Sequence, residues 1–263
     1  MPFAVMSAFM AAGGFPSWAL LGWIGLAMVF ARSAAMAFNR LVDEPFDREN
    51  PRTQNRALPA GKADKLHYVA FILVSGMAFI MVCGEINMLA LKLSPAALFI
   101  VFFYSYTKRL TAYSHFFLGA ALSLAPIGAW VAVREEIVTP PILLGLAVIF
   151  WLAGLDTIYS LQDMEFDKGR GLKSIPQRFG VGRALSMAAV FHGIMVALLL
   201  TLAAVTDLSW IYVTGVALTA GLLMYEHSLV KPEDLTKVNV AFFNVNGIIS
   251  VGLMIFTIAD VLA

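Results

Sequence analysis

The stretch WALLGWIGLAMVFARSAAMAFNRLVDEPFDRENPRTQNR, residues 18–56, joins an apolar segment to a strongly charged one. Its first part, residues 18–38, contains a single charged side chain, Arg32, and has the length of a helix that crosses about 30 Å of hydrocarbon. Residues 39–56 then bring acidic and arginine side chains at close intervals. The stretch therefore predicts a membrane helix that ends in a polar site at the membrane surface.

The rest of the chain has the composition of a membrane protein. Of its 263 residues, 60% are hydrophobic and 13% are charged, and the mean hydropathy is +0.81, well above the values of soluble domains. Further apolar runs that predict membrane helices lie at 66–84, 94–107, 115–133, 140–160, 183–205, 209–228 and 240–262. Residues 2–13 are too short to span, and we interpret them as part of a truncated first helix. The sequence predicts a single all-α domain, residues 1–263, with nine transmembrane helices.

The basic residues predict how this bundle is oriented. All Lys and Arg residues except Arg32, Lys92 and Arg134 fall in alternate loops, which we expect on the cytoplasmic side because loops rich in these residues stay there. The net charge of +1 conceals this asymmetry. Nothing in the sequence favours binding to nucleic acid.

Two rows of acidic residues end two of the predicted helices. Asn39, Asp43 and Asp47 follow one another at steps of four, a spacing that puts side chains on one face of a helix. Arg32 lies one heptad earlier on that face, inside the apolar run, where an unpaired charge is costly. Pro45 interrupts the row and predicts a kink or an end of the helix, with Asp47 past the bend.

The second row is DTIYSLQDMEFD, residues 156–167, in which Asp156, Tyr159, Asp163 and Asp167 share a face. Each row continues into a basic loop. Mg²⁺ prefers oxygen ligands and binds through one or two carboxylates together with substrate phosphates, and Arg and Lys hold the remaining phosphate oxygens. Two acidic rows flanked by cations at the mouth of an apolar bundle therefore predict a site for a diphosphate with a lipid tail.

Simpler interpretations remain for single residues and for the whole chain. Any one carboxylate or arginine at a helix end is also an ordinary interfacial anchor. Tyr104 is as well explained by such anchoring as by contact with a phosphate, and His115 is better explained as an interfacial histidine without a catalytic task. For the chain as a whole, the alternative is a multi-pass secondary transporter that uses intramembrane charges for coupling.

The two rows match the signatures NxxxDxxxD and DxxYxxxD with a further Asp four residues on. Together with Arg32, NPRTQNRALPAG (50–61), YSYTKR (104–109) and GLKSIPQRFG (171–180), they make the chain resemble the UbiA superfamily of intramembrane prenyltransferases. The resemblance is to the 4-hydroxybenzoate polyprenyltransferase-like branch, which includes menaquinone-pathway members. It implies nine helices around a central cavity with a cytoplasmic cap, in the inner (cytoplasmic) membrane, with the mouth of the site on the cytoplasmic side.

The resemblance also implies an enzyme with Mg²⁺ as cofactor. Its reaction would transfer a polyprenyl chain from a polyprenyl diphosphate to an aromatic acid, 4-hydroxybenzoate or a dihydroxynaphthoate, in respiratory quinone biosynthesis. The expected metal ligands are Asn39, Asp43, Asp47, Asp163 and Asp167; the expected diphosphate-binding residues are Arg52, Arg56, Tyr104, Lys108, Lys168 and Lys173; and the expected catalytic residues are Asp43, Asp163, Asp156 and Tyr159. Arg32 is expected to pair with the aromatic carboxylate or, alternatively, to form a salt bridge with Asp156 or Asp43.

Overall fold

The computed structural model describes residues 1–263, apart from the side chains at positions 240 and 241. Within that description the chain is helical and contains no strand. The helices are α1 (Pro2–Ala12), α2 (Trp18–Glu49), α3 (Lys65–Ile86), α4 (Met88–Leu110), α5 (Ser114–Arg134), α6 (Thr139–Ser160), α7 (Met164–Arg170), α8 (Ile175–Phe179), α9 (Val181–Ala204), α10 (Trp210–Leu229) and α11 (Asn246–Leu262). A 3₁₀ turn (Leu161–Asp163) precedes α7, and a π-helical segment (Val240–Val245) precedes α11.

Seven helical segments are long and apolar enough to cross a membrane: α2, α3, α4, α5, α6 with its continuation to Arg170, α9, and Phe242–Leu262. The predicted count of nine also includes α1 and α10. α1 has only 11 residues, and α10 carries Glu226 and His227, whose polarity lowers its mean hydropathy. The multi-pass character is therefore supported, and the count of nine stays a prediction.

Two predicted segments have different bounds in the structure. α2 does not end at Pro45 but continues to Glu49, so that Asp47 lies within the helix. The short apolar run 94–107 lies inside α4, which has 23 residues because 88–93 and 108–110 are also helical. Asn87 caps that helix, since its side-chain oxygen accepts a hydrogen bond from the backbone N–H of Ala90 at 2.8 Å.

α6 is the central helix, and it packs between α5 and α9. Its buried side chains, Leu144, Val148 and Leu152, belong to the largest apolar cluster of the bundle. Gly119 permits the close approach of α5, because a Cβ at that position would lie 2.7 Å from the carbonyl oxygen of Ile149. This approach places the start of α5 next to the end of α6.

Two connecting segments lie at that end of the bundle. We call them loop A, residues 50–64 between α2 and α3, and loop B, residues 161–180 between α6 and α9. They meet where Arg52 of loop A contacts Asp163 of loop B. The first acidic row therefore runs up to loop A, and the second row continues into loop B through Asp163 and Asp167.

Candidate active site

A cavity of about 290 Å³ lies where α2, α4 and α6 reach the two loops. Both acidic rows line it, although the second row is not on one continuous α-helix, because the 3₁₀ turn separates α6 from α7. The predicted site residues that line the cavity are Asn39, Asp43, Asp47, Arg52, Arg56, Tyr104, Lys108, Asp156, Tyr159, Asp163, Asp167 and Lys173. Residues more than a hundred positions apart in the sequence thus face one space.

Asp43 is almost completely buried and is held from two helices. The ammonium of Lys108 on α4 donates to its Oδ2 at 2.9 Å, and the side-chain amide of Asn39 donates to the same oxygen at 3.1 Å. The guanidinium of Arg109 is 3.5 Å from Oδ1 and donates to the backbone carbonyl of Val42 at 2.7 Å. A buried carboxylate needs such partners, because burial without them is costly.

Asp47, one turn further along α2, is paired with loop A. One terminal nitrogen of Arg56 lies 2.8 and 2.7 Å from its two carboxylate oxygens. The hydroxyl of Thr53 donates to the backbone carbonyl of Asp47 at 3.1 Å. These bonds fold loop A back over the end of α2.

Asp163 is paired with the same loop through Arg52. The guanidinium donates to both carboxylate oxygens, from Nε at 3.0 Å and from a terminal nitrogen at 2.6 Å, the two-pronged geometry typical of strong Arg–carboxylate pairs. Its other terminal nitrogen lies 3.4 Å from the Tyr159 hydroxyl. Partial burial works to lower the pKa of Arg52, but the hydrogen bond and charge of Asp163 raise it above its ordinary value, so Arg52 stays charged.

Asp156 and Asp167 have different surroundings. His115, at the start of α5, places its Nδ1 2.6 Å from Oδ2 of Asp156. Asp167 and Ser174 both line the cavity. In the part of the chain whose side chains are described, no Lys or Arg forms an ion pair with Asp167, in contrast to Asp43, Asp47 and Asp163.

Two predicted site residues are not in the cavity wall. Lys168 is exposed on α7, and Arg32 is exposed about 10 Å along α2 from Asn39. The alternative salt bridge of Arg32 with Asp43 or Asp156 is not formed among the described side chains, since Lys108, Arg109 and His115 take those positions. Lys173 lines the cavity, but its ammonium donates to the carbonyl of Leu110 at 3.0 Å.

The donor set fits Mg²⁺ bound together with a substrate. Among the described residues, no three His, Cys, Asp or Glu side chains are close enough to form a complete metal site. Mg²⁺ does not need one, because it keeps several waters and takes one or two carboxylates plus phosphate oxygens. The oxygens of Asn39, Asp43, Asp47, Asp163 and Asp167 supply such ligands around one cavity.

Sequence reasoning missed two contributors to this cavity, Asn50 and Arg109. It explained a third, His115, as an interfacial histidine, although its side chain is only 2% exposed and lines the cavity. Asn50 donates from its side-chain amide to Asp163 at 3.4 Å, Arg109 supports Asp43, and His115 contacts Asp156. Arg109 directly follows the predicted Lys108, and Asn50 begins the loop A motif, so proximity to the motifs was an available signal. His115 had no such signal, because its partner is on another helix.

The comparisons with known proteins agree with this geometry. Residues 1–248 match the UbiA prenyltransferase family. The chain belongs to the UbiA prenyltransferase family. It is therefore an enzyme, and the transporter alternative has no support from these comparisons.

Among the curated relatives are 4-hydroxybenzoate octaprenyltransferases. The protein of that name from Vibrio campbellii is 32% identical over 250 residues, which are 93% of this chain and 87% of the relative. The one from Marinobacter nauticus is 33% identical over 239 residues, 90% of this chain and 81% of the relative. The prenyltransferase described here thus aligns with such enzymes over most of its length.

Solved structures show the same UbiA fold. The apo structure of a UbiA homologue from Aeropyrum pernix K1 has 30% identity and a TM-score of 0.87, covering 97% of this chain and 95% of the other. A UbiA homologue from Archaeoglobus fulgidus, bound to DMAPP and Mg²⁺, has 21% identity and a TM-score of 0.71, covering 99% and 93%. At that lower identity, the likeness concerns the fold.

Proposed function

We propose that this UbiA prenyltransferase transfers a polyprenyl chain from a polyprenyl diphosphate to an aromatic acid, 4-hydroxybenzoate or a dihydroxynaphthoate, in a Mg²⁺-dependent step of respiratory quinone biosynthesis. The observation that carries the proposal is the shared cavity, whose wall contains both acidic rows together with four cationic side chains, Arg52, Arg56, Lys108 and Lys173. The names of the curated relatives and the DMAPP and Mg²⁺ bound to the Archaeoglobus fulgidus homologue support it. We place the protein in the inner membrane with loops A and B on the cytoplasmic side, because these loops are basic.

The ion pairs of the cavity suggest how a diphosphate would be held. Lys108, Arg52 and Arg56 each hold an aspartate in this structure. When Asp43, Asp47 and Asp163 serve as metal ligands, these three cations lose their partners and are available for diphosphate oxygens. Burial makes an unpaired charge costly, so metal and diphosphate binding should each favour the other.

The chemistry then follows from charge. The bond between the prenyl carbon and the diphosphate oxygen breaks, and the electron pair goes to the diphosphate. Lys108, Arg52 and Arg56 stabilise the charge that grows on this leaving group, usually the largest single contribution to such catalysis. Bound Mg²⁺ supplies further neutralisation of the same oxygens.

The remaining steps form the product. A carbon of the aromatic ring forms the new C–C bond to the prenyl carbon, and the proton of that ring carbon is lost to a base. Asp156 is our candidate for this base, because it lines the cavity and its side chain is 26% exposed there. We propose that Tyr104, which also lines the cavity, presents its ring face to the cationic prenyl group. The Tyr159 ring already has the Arg52 guanidinium over it at 5.7 Å and packs against Phe242.

The proposal is tested by product analysis with purified protein in detergent or nanodiscs. Allylic diphosphates of several lengths are combined with hydroxybenzoates and hydroxynaphthoates, with Mg²⁺ or with excess chelator. We expect a ring-prenylated product and free diphosphate only with Mg²⁺. Undiminished activity in chelator would refute the metal assignment, and hydrolysis without prenylation of any acid would refute the acceptor class.

A further inference from the structure

His115 contacts two parts of the site that are otherwise separate. Its side chain is 2% exposed, and its two ring nitrogens point in different directions. Nδ1 lies 2.6 Å from Oδ2 of Asp156 at the end of α6, and Nε2 accepts the backbone N–H of Ile175 in loop B at 3.3 Å. One ring therefore spans from a cavity carboxylate to the segment above it.

These partners fix the position of the ring proton. A backbone N–H only donates, so Nε2 must be the bare nitrogen that accepts it. A neutral imidazole then carries its proton on Nδ1, and this N–H donates a hydrogen bond to Asp156. Oδ2 of Asp156 accepts this hydrogen bond, and the side chain also lines the cavity. The His115 ring therefore sets the orientation of the carboxylate in the cavity.

In loop B, the residue that contacts His115 is held in place by packing and by a nearby backbone hydrogen bond. Ile175 is fully buried and packs with Ile158 of α6 and Ala184 of α9. Two residues earlier, the backbone N–H of Lys173 donates to the carbonyl of Lys108 at 2.8 Å. Loop B is thus fixed to the residue that pairs with Asp43, as well as to His115.

The α5 end is equally constrained. His115 lies one turn before Gly119, where α5 closely approaches the backbone of α6. A shift of the ring away from Asp156 would break the contact at Nδ1, and the side chain, 2% exposed, has little free space around it. His115 thus connects Asp156 to Ile175 of loop B, and any effect on catalysis would come from how it positions Asp156.

We propose that His115 is a positioning residue that couples the orientation of Asp156 to the seating of loop B over the cavity. The role in catalysis rests on the proposed function, while the connection between His115 and loop B does not. With loop B seated, Nε2 has its donor and the Nδ1 proton is directed at Asp156. With loop B displaced, the ring loses that donor and Asp156 loses its fixed direction.

The test compares His115→Leu, which removes both hydrogen bonds at similar volume, with His115→Gln, whose amide can donate and accept. The matched control is His67→Leu, since His67 is an exposed histidine on α3 that does not line the cavity. For each protein, kcat and KM are measured together with hydrogen exchange of residues 172–179 and affinity for a non-reactive prenyl thiolodiphosphate. Thermal unfolding identifies variants that fail to fold.

For His115→Leu we expect kcat to fall about 10- to 100-fold, as for a misplaced reactive group, with thiolodiphosphate affinity within about twofold of the unmodified enzyme. Exchange of residues 172–179 should be faster, His115→Gln should restore part of both effects, and His67→Leu should change neither. Combined with Asp156→Asn, His115→Leu should cost little more, because the two act as a unit.

Unchanged exchange in loop B, or an unchanged kcat, in folded His115→Leu would overturn the proposal. Failure of the proposed function has a different signature. In that case the unmodified protein prenylates no aromatic acid, but His115→Leu still accelerates exchange in residues 172–179. If even His115→Gln does not fold, the assigned role is wrong. The Gln amide can replace both hydrogen bonds of His115, so a residue that only positions Asp156 and loop B should tolerate this substitution.

Discussion

Replacing Arg52 by Gln should change the affinities for metal and for substrate in opposite directions. In the structure Arg52 occupies both oxygens of Asp163. It therefore competes with Mg²⁺ for this carboxylate when no diphosphate is present. When diphosphate is present, the same guanidinium becomes a ligand for it. Arg52→Gln removes the competitor in the first case and the ligand in the second.

The size of the effect follows from the exposure of the pair. The side chain of Arg52 is 38% exposed and that of Asp163 is 19% exposed, so solvent screens part of the attraction. A two-pronged pair in such surroundings contributes about 1 kcal/mol. Since 1.4 kcal/mol corresponds to a factor of ten, we expect about a fivefold gain in Mg²⁺ affinity without diphosphate. We expect about a fivefold loss in thiolodiphosphate affinity at saturating Mg²⁺.

Both affinities can be measured on the same preparations. Mn²⁺ binding by electron paramagnetic resonance, with Mg²⁺ as competitor, gives the metal affinity, and calorimetry gives the thiolodiphosphate affinity. Arg170→Gln is the control, because it breaks an ion pair of the same 2.6 Å length, to Glu49, outside the cavity wall. Weaker or unchanged Mg²⁺ binding in Arg52→Gln, with normal folding, would refute the competition between Arg52 and metal.

Three further substitutions test other parts of the account. Asp43→Asn should lower kcat by at least about 100-fold. It should also lower the unfolding temperature, because Lys108 and Arg109 lose the charge with which they pair. Steady-state assays on protein that still melts cooperatively check this, and substantial remaining activity would exclude Asp43 as a metal ligand. Gly119→Ala should lower the free energy of unfolding by about 1–3 kcal/mol, because the added Cβ would clash with Ile149. The control is Gly128→Ala on the same helix, where a Cβ would have nothing within 4 Å, so this variant should be neutral or stabilising in the same unfolding titration. Equal stabilities of the two variants would contradict the close α5–α6 packing. Arg32→Gln should raise KM for the aromatic acid and leave KM for the prenyl diphosphate unchanged in initial-rate assays; an effect on the diphosphate alone would remove Arg32 from the acceptor site.

Much of the cavity was predictable because helical periodicity fixes which side chains share a face. The spacing of Asn39, Asp43 and Asp47 needed no tertiary information, and these residues do face one space with Tyr159 and Asp163. For Pro45 the sequence predicted a kink or an end of the helix, and the end is wrong. A proline removes one backbone hydrogen bond, but the turns on either side of it are enough to carry α2 on to Glu49.

The partners across the cavity were not predictable, since they depend on which helices pack together. His115 meets Asp156 because Gly119 lets α5 approach α6, and one glycine in an apolar run gives no sign of this. The pairing of Arg52 with Asp163, rather than with the nearer Asp47, depends on the path of loop A. Lys168 also shows this limit, because α7 turns it out of the cavity wall.

The central claim is that residues from both acidic rows bind one Mg²⁺–diphosphate group together. The most direct measurement is calorimetric binding of a prenyl thiolodiphosphate to the unmodified protein, to Asp43→Asn and to Asp163→Asn, each with Mg²⁺ and with chelator. We predict one equivalent bound per unmodified chain, only with Mg²⁺, and loss of that binding in both variants. Binding that persists in chelator, or that survives either substitution undiminished, would contradict a shared site.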